Sequence, residues 1–156
     1  SHFGYNLKAT DLQAAIGCAQ LEKFPTFVER RRHNFDRLRA ALAETEDRLI
    51  LPVPAENSRP SWFGFLITCK EGVDRNRVVQ YVEDHGVQTR MLFAGNLTKH
   101  PCFDEMRAEK KGYRIVGELK NTDRIMTDTF WVGVYPGMTD EKIDYMAKVI
   151  KEGLEQ

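Results

Sequence analysis

The chain has no net charge, no paired cysteines and no apolar run approaching the ~18–20 residues of a membrane span. Its 23 basic and 23 acidic residues cancel, which argues against a surface dedicated to nucleic acid or to an anionic membrane. Three cysteines, Cys18, Cys69 and Cys102, are far apart, and none lies in a Cys-x-x-Cys pair. We therefore expect reduced thiols in a cytoplasmic protein without a nucleic-acid or membrane partner.

Recognisable catalytic and metal-binding patterns are also missing from the sequence. The histidines have no metal-type spacing to one another or to a cysteine, so we predict no metal ligands among them; they are His2, His33, His85 and His100. Neither standard pattern of a glycine-rich phosphate loop is present. We expect no complete catalytic constellation within this chain.

Helix signals divide the chain. Thr10-Asp11-Leu12-Gln13 is typical of a capping box at a helix start, and Pro25 predicts that a second helix begins there. Asp74 and Thr139 are each placed to cap a later helix, and Gly86 is placed to end the first of these two.

Three short segments, 62–69, 87–92 and 130–135, have the composition of strands. In the first, alternation predicts that four side chains share one buried face: Phe63, Phe65, Ile67 and Cys69. Trp131 and Tyr135 in the third are expected in the core rather than against a ligand. With strands so few and interspersed with helices, we predict an α+β fold: a small, mostly antiparallel sheet packed with helices.

Two loops carry side chains suited to a phosphorylated ligand. In the first, the Asn6 amide can donate to an anion, and Lys8 adds charge beside a helix start, where backbone N–H groups favour phosphate. In the second, Arg90 can pair with phosphate, Phe93 can stack and Asn96 can hydrogen-bond a hydroxyl. From spacing alone, an ordinary helix start and an ordinary strand exit are the alternatives.

Taken together, these motifs resemble those of the nucleotide-sugar aminotransferases and dehydratases. The resemblance lies in residues 4–15, which read Gly-Tyr-Asn-Leu-Lys-Ala-Thr-Asp-Leu-Gln-Ala-Ala, and in Ala19-Gln20-Leu21. Residues 89–97, 121–126 and 129–137 are similar to one branch of that family, the CDP-4-keto-6-deoxy-D-glucose 3-dehydrases of lipopolysaccharide sugar biosynthesis. The family has the aspartate aminotransferase fold and uses pyridoxal phosphate or pyridoxamine phosphate.

The resemblance implies the C-terminal domain of an aspartate-aminotransferase-fold (type I PLP-dependent) enzyme. Residues 1–23 would be an active-site loop and linking helix from the large cofactor domain, and residues 24–156 the small α+β domain. Asn6 and Lys8 would contact the cofactor phosphate, Asn6 usually that of the neighbouring subunit in a homodimer. The residues expected to meet a CDP-linked 4-keto-6-deoxy sugar are Arg90, Phe93 and Asn96.

In this branch, removal of the C3 hydroxyl depends on a histidine base and on an iron–sulfur cluster. The cluster takes electrons from a reductase partner that contains flavin or iron–sulfur centres. The histidine and the cluster cysteines lie upstream in the family. The resemblance thus implies that this chain is the C-terminal portion of a larger enzyme and is inactive alone. Two alternatives stay open: a PLP-dependent nucleotide-sugar aminotransferase, with a lysine in place of that histidine, and a non-catalytic nucleotide-binding domain.

Overall fold

A computed structural model describes residues 4–5 and 7–156. Across this part of the chain, four strands form one antiparallel sheet in the order β1-β2-β4-β3. The strands are β1 Leu49–Ile50, β2 Gly64–Cys69, β3 Thr89–Met91 and β4 Thr129–Gly133. The helices are α1 Asp11–Ala41, α2 Arg75–Asp84, α3 Asp104–Glu109, α4 Lys120–Asp128 and α5 Asp140–Leu154. This confirms the predicted α+β class.

The main core lies between one face of the sheet, here called the inner face, and helices α1, α2 and α5. Alternate residues of β2 and β4 point into it, as the period of a strand requires; they include Phe65, Ile67, Phe130 and Val132, all fully buried. Helix α5 faces this core through an apolar stripe at helical spacing, and each of its members is buried: Ile143, Met146, Val149, Ile150 and Leu154.

The opposite side of the sheet is here called the outer face, and helix α4 also contacts strands β2 and β4. The prediction that Phe63 belongs to the buried face is wrong. Strand β2 begins one residue later, at Gly64, and Phe63 is 59% exposed. The alternation of side chains applies only within the strand. Phe63 precedes the strand, so its side chain need not point to the inner face.

Helix α1 is continuous through the position where a second helix was expected to begin. The capping box is confirmed, since Thr10 accepts from the Gln13 N–H and Gln13 accepts from the Thr10 N–H. The predicted restart at Pro25 is wrong, because Pro25 lies inside Asp11–Ala41. Residues 11–27 are exposed, so water can satisfy the carbonyl that proline leaves without a donor.

The second half of α1 is fastened to the turn that joins β4 to α5. Asn34 is fully buried, and its side-chain nitrogen donates to the Tyr135 carbonyl over 2.8 Å. Arg30 donates to the Met138 carbonyl over 3.0 Å and lies 3.4 Å from the Asn34 side-chain oxygen. These bonds fix the direction in which α1 leaves the core.

Asp140, the first residue of α5, lies against basic side chains of α1. Its carboxylate lies within 3.5 Å of three of them: Arg30, His33 and Arg37. The hydrogen bond with His33 is the largest cause that lowers the pKa of Asp140, and the charges of Arg37, His33 and Arg30 add to it. Because the site is partly exposed, its attraction is screened by water.

Helix α2 has the predicted ends. The Asp74 side chain accepts from the N–H groups of Asn76 and Arg77. At the other end, Gly86 has a φ of +77°, and its N–H and that of Val87 return to carbonyls of the last turn. This is the Schellman arrangement, for which glycine is preferred because it carries no Cβ.

Candidate functional site

Arg90 lies on the outer face of the sheet. Its neighbour Thr89 is buried on the inner face, whereas Arg90 is exposed and stands opposite Trp131 in the antiparallel register of β3 and β4. Residues opposite each other in such a pair project from the same face. Within the described part of the chain, no ion pair or hydrogen bond engages the Arg90 side chain, so its guanidinium is available to an anion.

The Trp131 side chain projects from the outer face of the sheet and not into the core, so the prediction that it lies in the core is wrong. Its indole N–H donates to the Met91 carbonyl over 3.2 Å, and its ring meets that of Phe63 edge to face, with centroids 5.5 Å apart and planes at 84°. Tyr135, also expected in the core, is exposed. Trp131 faces outward because its neighbours Phe130 and Val132 occupy the inner face.

Phe93 follows β3 in a strained conformation. Its φ is +50°, which costs a residue with a Cβ roughly 1–2 kcal/mol. The Phe93 N–H donates to the Met91 carbonyl over 2.7 Å, closing a tight three-residue turn, and the side chain is 79% exposed. Because strained residues cluster at functional sites, the exposed ring of Phe93 is a candidate to contact a ligand.

Asn96 is buried inside its loop, at 3% exposure. Its side-chain nitrogen donates to Asp123 over 2.6 Å, and its side-chain oxygen accepts from the N–H and the hydroxyl of Thr98. Both ends of the amide are thus engaged within the protein. The structure gives Asn96 a supporting position, and its contact with a sugar nucleotide stays a prediction.

Helix α4 carries the support for this loop. Asp123 also accepts from Lys99 over 2.9 Å, and the bonds from Asn96 and Lys99 lower the pKa of Asp123. Gly95 has a φ of +61°, and a Cβ there would lie 2.5 Å from Cγ of Met126. Sequence reasoning missed the roles of Asp123 and Met126, since nothing local links them to a loop about 30 residues earlier.

Lys8 lies two residues before the helix cap at Thr10. It is exposed and has no ion-pair partner among residues 4–5 and 7–156, and its contact with a cofactor phosphate stays a prediction. Asn6 lies outside the described residues, and its role stays a prediction. Residues 11–27 are exposed and span about 25 Å of helix, so this chain does not bring Lys8 together with Arg90.

The described residues give little support for a metal site, a reactive buried thiol or a membrane-spanning helix. They contain no group of three His, Cys, Asp or Glu side chains that could hold a metal ion. The three cysteines are free, and Cys18 and Cys102 are exposed; burial raises the pKa of the Cys69 thiol to about 11. In the same residues, every helix is too short or too polar to cross a membrane.

Comparison with known proteins gives two close relatives. The sequence model of the DegT/DnrJ/EryC1/StrS aminotransferase family matches residues 1–151. The lipopolysaccharide biosynthesis protein RfbH of Salmonella typhimurium is 51% identical over 154 residues, which are 97% of this chain and 34% of that protein. The dTDP-4-dehydro-2,6-dideoxy-D-glucose 3-dehydratase of Saccharopolyspora spinosa is 48% identical over 97% of this chain and 32% of its own length.

A solved structure shares the fold. It is that of a GDP-4-keto-6-deoxymannose-3-dehydratase with a trapped PLP-glutamate geminal diamine; it is 26% identical, with a TM-score of 0.76, over 96% of this chain and 38% of that one. The chain therefore spans about a third of the length of the relatives it matches. These findings confirm the family resemblance and the predicted kind of fold.

Proposed function

Because the chain belongs to the DegT/DnrJ/EryC1/StrS aminotransferase family, we propose that it supplies the C-terminal domain of a pyridoxamine phosphate-dependent nucleotide-sugar 3-dehydrase. The observation that carries this proposal is the 48% identity to a 3-dehydratase over 97% of the chain. The proposed substrate is a CDP-linked 4-keto-6-deoxy sugar used for lipopolysaccharide, in keeping with the name of the relative that is 51% identical.

Within this proposal, Lys8 and Asn6 hold the cofactor phosphate, and the cofactor when bound supplies an electron sink for removal of the C3 hydroxyl. The exposed ammonium of Lys8 beside the start of α1 suits a phosphate. Arg90 pairs with the diphosphate of the sugar nucleotide, the exposed ring of Phe93 packs against the ligand, and Asn96 completes their loop. Residues 1–23 link to a cofactor domain, and residues 24–156 form the small domain.

The remaining parts of the proposal concern the whole enzyme. We place it in the cytoplasm as a homodimer that takes electrons from a reductase partner through an iron–sulfur cluster. The cluster ligands are assigned outside this chain, because its cysteines do not match the family's ligand positions: Cys18, Cys69 and Cys102.

An absorbance spectrum of the full-length protein tests this function. The protein is purified without oxygen and supplied with pyridoxamine phosphate. We expect broad visible bands of an iron–sulfur cluster that dithionite bleaches. A single band that an amine donor abolishes would instead indicate an aminotransferase, and neither band would leave a nucleotide-binding domain without catalysis.

Steady-state kinetics of the same protein tests the two charged side chains. Losing a hydrogen bond to a charged group costs about 1.5–3 kcal/mol, so Arg90→Ala should raise the KM for the sugar nucleotide roughly 10- to 100-fold. Lys8→Ala should weaken cofactor binding by a similar factor. The matched controls are Arg77→Ala on α2 and Lys23→Ala on α1, both exposed; equal effects of a site variant and its control would contradict the assignment.

A further inference from the structure

The indole of Trp131 lies close against the outer face of the sheet at Gly64. A Cβ at Gly64 would lie 2.7, 3.2 and 3.4 Å from three ring carbons of Trp131, so the ring rests directly on the β2 backbone. Glycine in a strand often marks such a close approach, because it has no side chain in the way. The hydrogen bond from the indole N–H to the Met91 carbonyl holds the other end of the ring.

Two exposed side chains flank this ring. The Phe63 ring stands at 84° to the indole, 5.5 Å away between centroids, and is 59% exposed. Arg90 is the cross-strand partner of Trp131, and no described residue neutralises its charge. The neighbouring Trp62 is different, since it stacks on Phe35 at 5.4 Å and 14° and packs against the main core.

We propose that Phe63, Trp131 and Arg90, here called the aromatic corner, form a subsite for the nucleoside diphosphate part of a sugar nucleotide. The base stacks on the indole with Phe63 at its edge, and the diphosphate pairs with the guanidinium of Arg90. This inference rests on the proposed function and adds to it Phe63, Trp131 and the space made by Gly64, none of which sequence reasoning assigned to a ligand.

Geometry and charge both favour this occupant. The side chains of directly opposed residues start about 4.5–5.5 Å apart, so a base on Trp131 leaves its diphosphate within reach of the long Arg90 side chain. The planar guanidinium matches phosphate with two parallel hydrogen bonds. A fixed aromatic face binds any base through its π face, so the aromatic corner should select nucleoside diphosphates over pyrophosphate and should discriminate little between bases.

Fluorescence of the purified protein tests the stacking directly. The chain has two tryptophans, so Trp62→Phe leaves Trp131 as the sole reporter. We expect CDP to quench it in a saturable way, and inorganic pyrophosphate to bind more weakly without quenching. If Trp62→Phe does not fold, the two indole N–H resonances of the unaltered protein serve instead: CDP should shift that of Trp131 and leave that of Trp62 in place.

Three variants separate the parts of the subsite. Arg90→Ala should weaken CDP binding at least 10-fold and reduce its dependence on salt. Phe63→Ala should weaken it several-fold, whereas Phe24→Ala, at a residue of matched exposure on α1, should not. Gly64→Ala should abolish the quenching, since its Cβ displaces the indole, but leave weak pyrophosphate binding.

The outcomes also distinguish this proposal from the proposed function. Absence of both quenching and a Trp131 shift with saturating CDP would overturn the aromatic corner, as would CDP binding unchanged by Arg90→Ala. Dehydration of the sugar nucleotide by the full-length enzyme with a KM unaffected by Phe63→Ala would overturn the subsite and leave the function standing. CDP binding at the corner without any dehydration would support the subsite and refute the function.

Discussion

The junction between α1 and the rest of the molecule depends on the buried side-chain amide of Asn34, so Asn34→Ala should lower the stability of the fold. The substitution removes the donor to the Tyr135 carbonyl, which is 2.8 Å away, from a position that is fully buried. A buried polar group left without a partner costs about 1–3 kcal/mol. A loss of about 2 kcal/mol would raise the unfolded-to-folded ratio roughly 30-fold.

Urea unfolding followed by circular dichroism measures this loss. For a chain of this size, about 2 kcal/mol corresponds to a fall in Tm of about 4–8 °C. Asn121→Ala, at an exposed asparagine of α4, is the matched control and should change the free energy of unfolding by less than about 0.5 kcal/mol.

A second substitution at the same position separates donor from acceptor. Asn34→Asp keeps the shape and the oxygen that lies 3.4 Å from Arg30, but it removes the donor and brings a carboxylate to the Tyr135 carbonyl. We expect a loss of stability at least as large as that of Asn34→Ala. Wild-type stability in Asn34→Asp would refute the view that the bond to Tyr135 holds the junction.

Three further predictions concern strain, thiols and acid. Phe93→Gly should relieve the strain of φ +50° and raise the free energy of unfolding in urea by about 1 kcal/mol, while weakening binding of the proposed sugar nucleotide; a loss of stability would contradict the first part. Iodoacetamide at pH 8 should label the exposed Cys18 and Cys102 but not the buried Cys69, whose pKa is about 11, giving two adducts by mass spectrometry and three after denaturation. The lowered pKa of Asp140 stabilises the fold at pH values above the ordinary value of about 4, and this contribution is lost as the pH falls through the lowered value. The difference in Tm between wild type and Asp140→Asn should therefore shrink below pH 4, and a difference that is the same at pH 7 and pH 3 would count against it.

Features set by a few neighbouring residues were predictable from the sequence. The caps at Thr10, Asp74 and Thr139 depend on a side chain and the backbone two or three residues later, and the end of α2 depends on the freedom of Gly86. The stripe of α5 follows from the helical period alone. Each of these signals lies within a single element.

Features that depend on contacts between elements were missed. Alternation in β4 predicts two faces but not which of them is solvated, so Trp131 was assigned to the core. Strand β1, with two residues, is too short to have a period. The bond from Asn96 to Asp123 joins residues 27 positions apart, and local sequence gives no sign of it.

The loop after β3 shows how this domain holds a strained side chain outward. The left-handed backbone at Phe93 costs conformational free energy, and contacts of the residues that follow offset this cost. Both ends of the Asn96 side-chain amide are hydrogen-bonded, to Thr98 and Asp123. Gly95 lies against Met126 more closely than a Cβ would allow. Because those contacts are made entirely by residues of this chain, they hold the backbone that carries Phe93, which lowers the cost of ordering the loop on binding. Lys8 has no such support among the described residues, so the proposed substrate side of the site is prepared within this chain and the proposed cofactor side depends on what else surrounds α1.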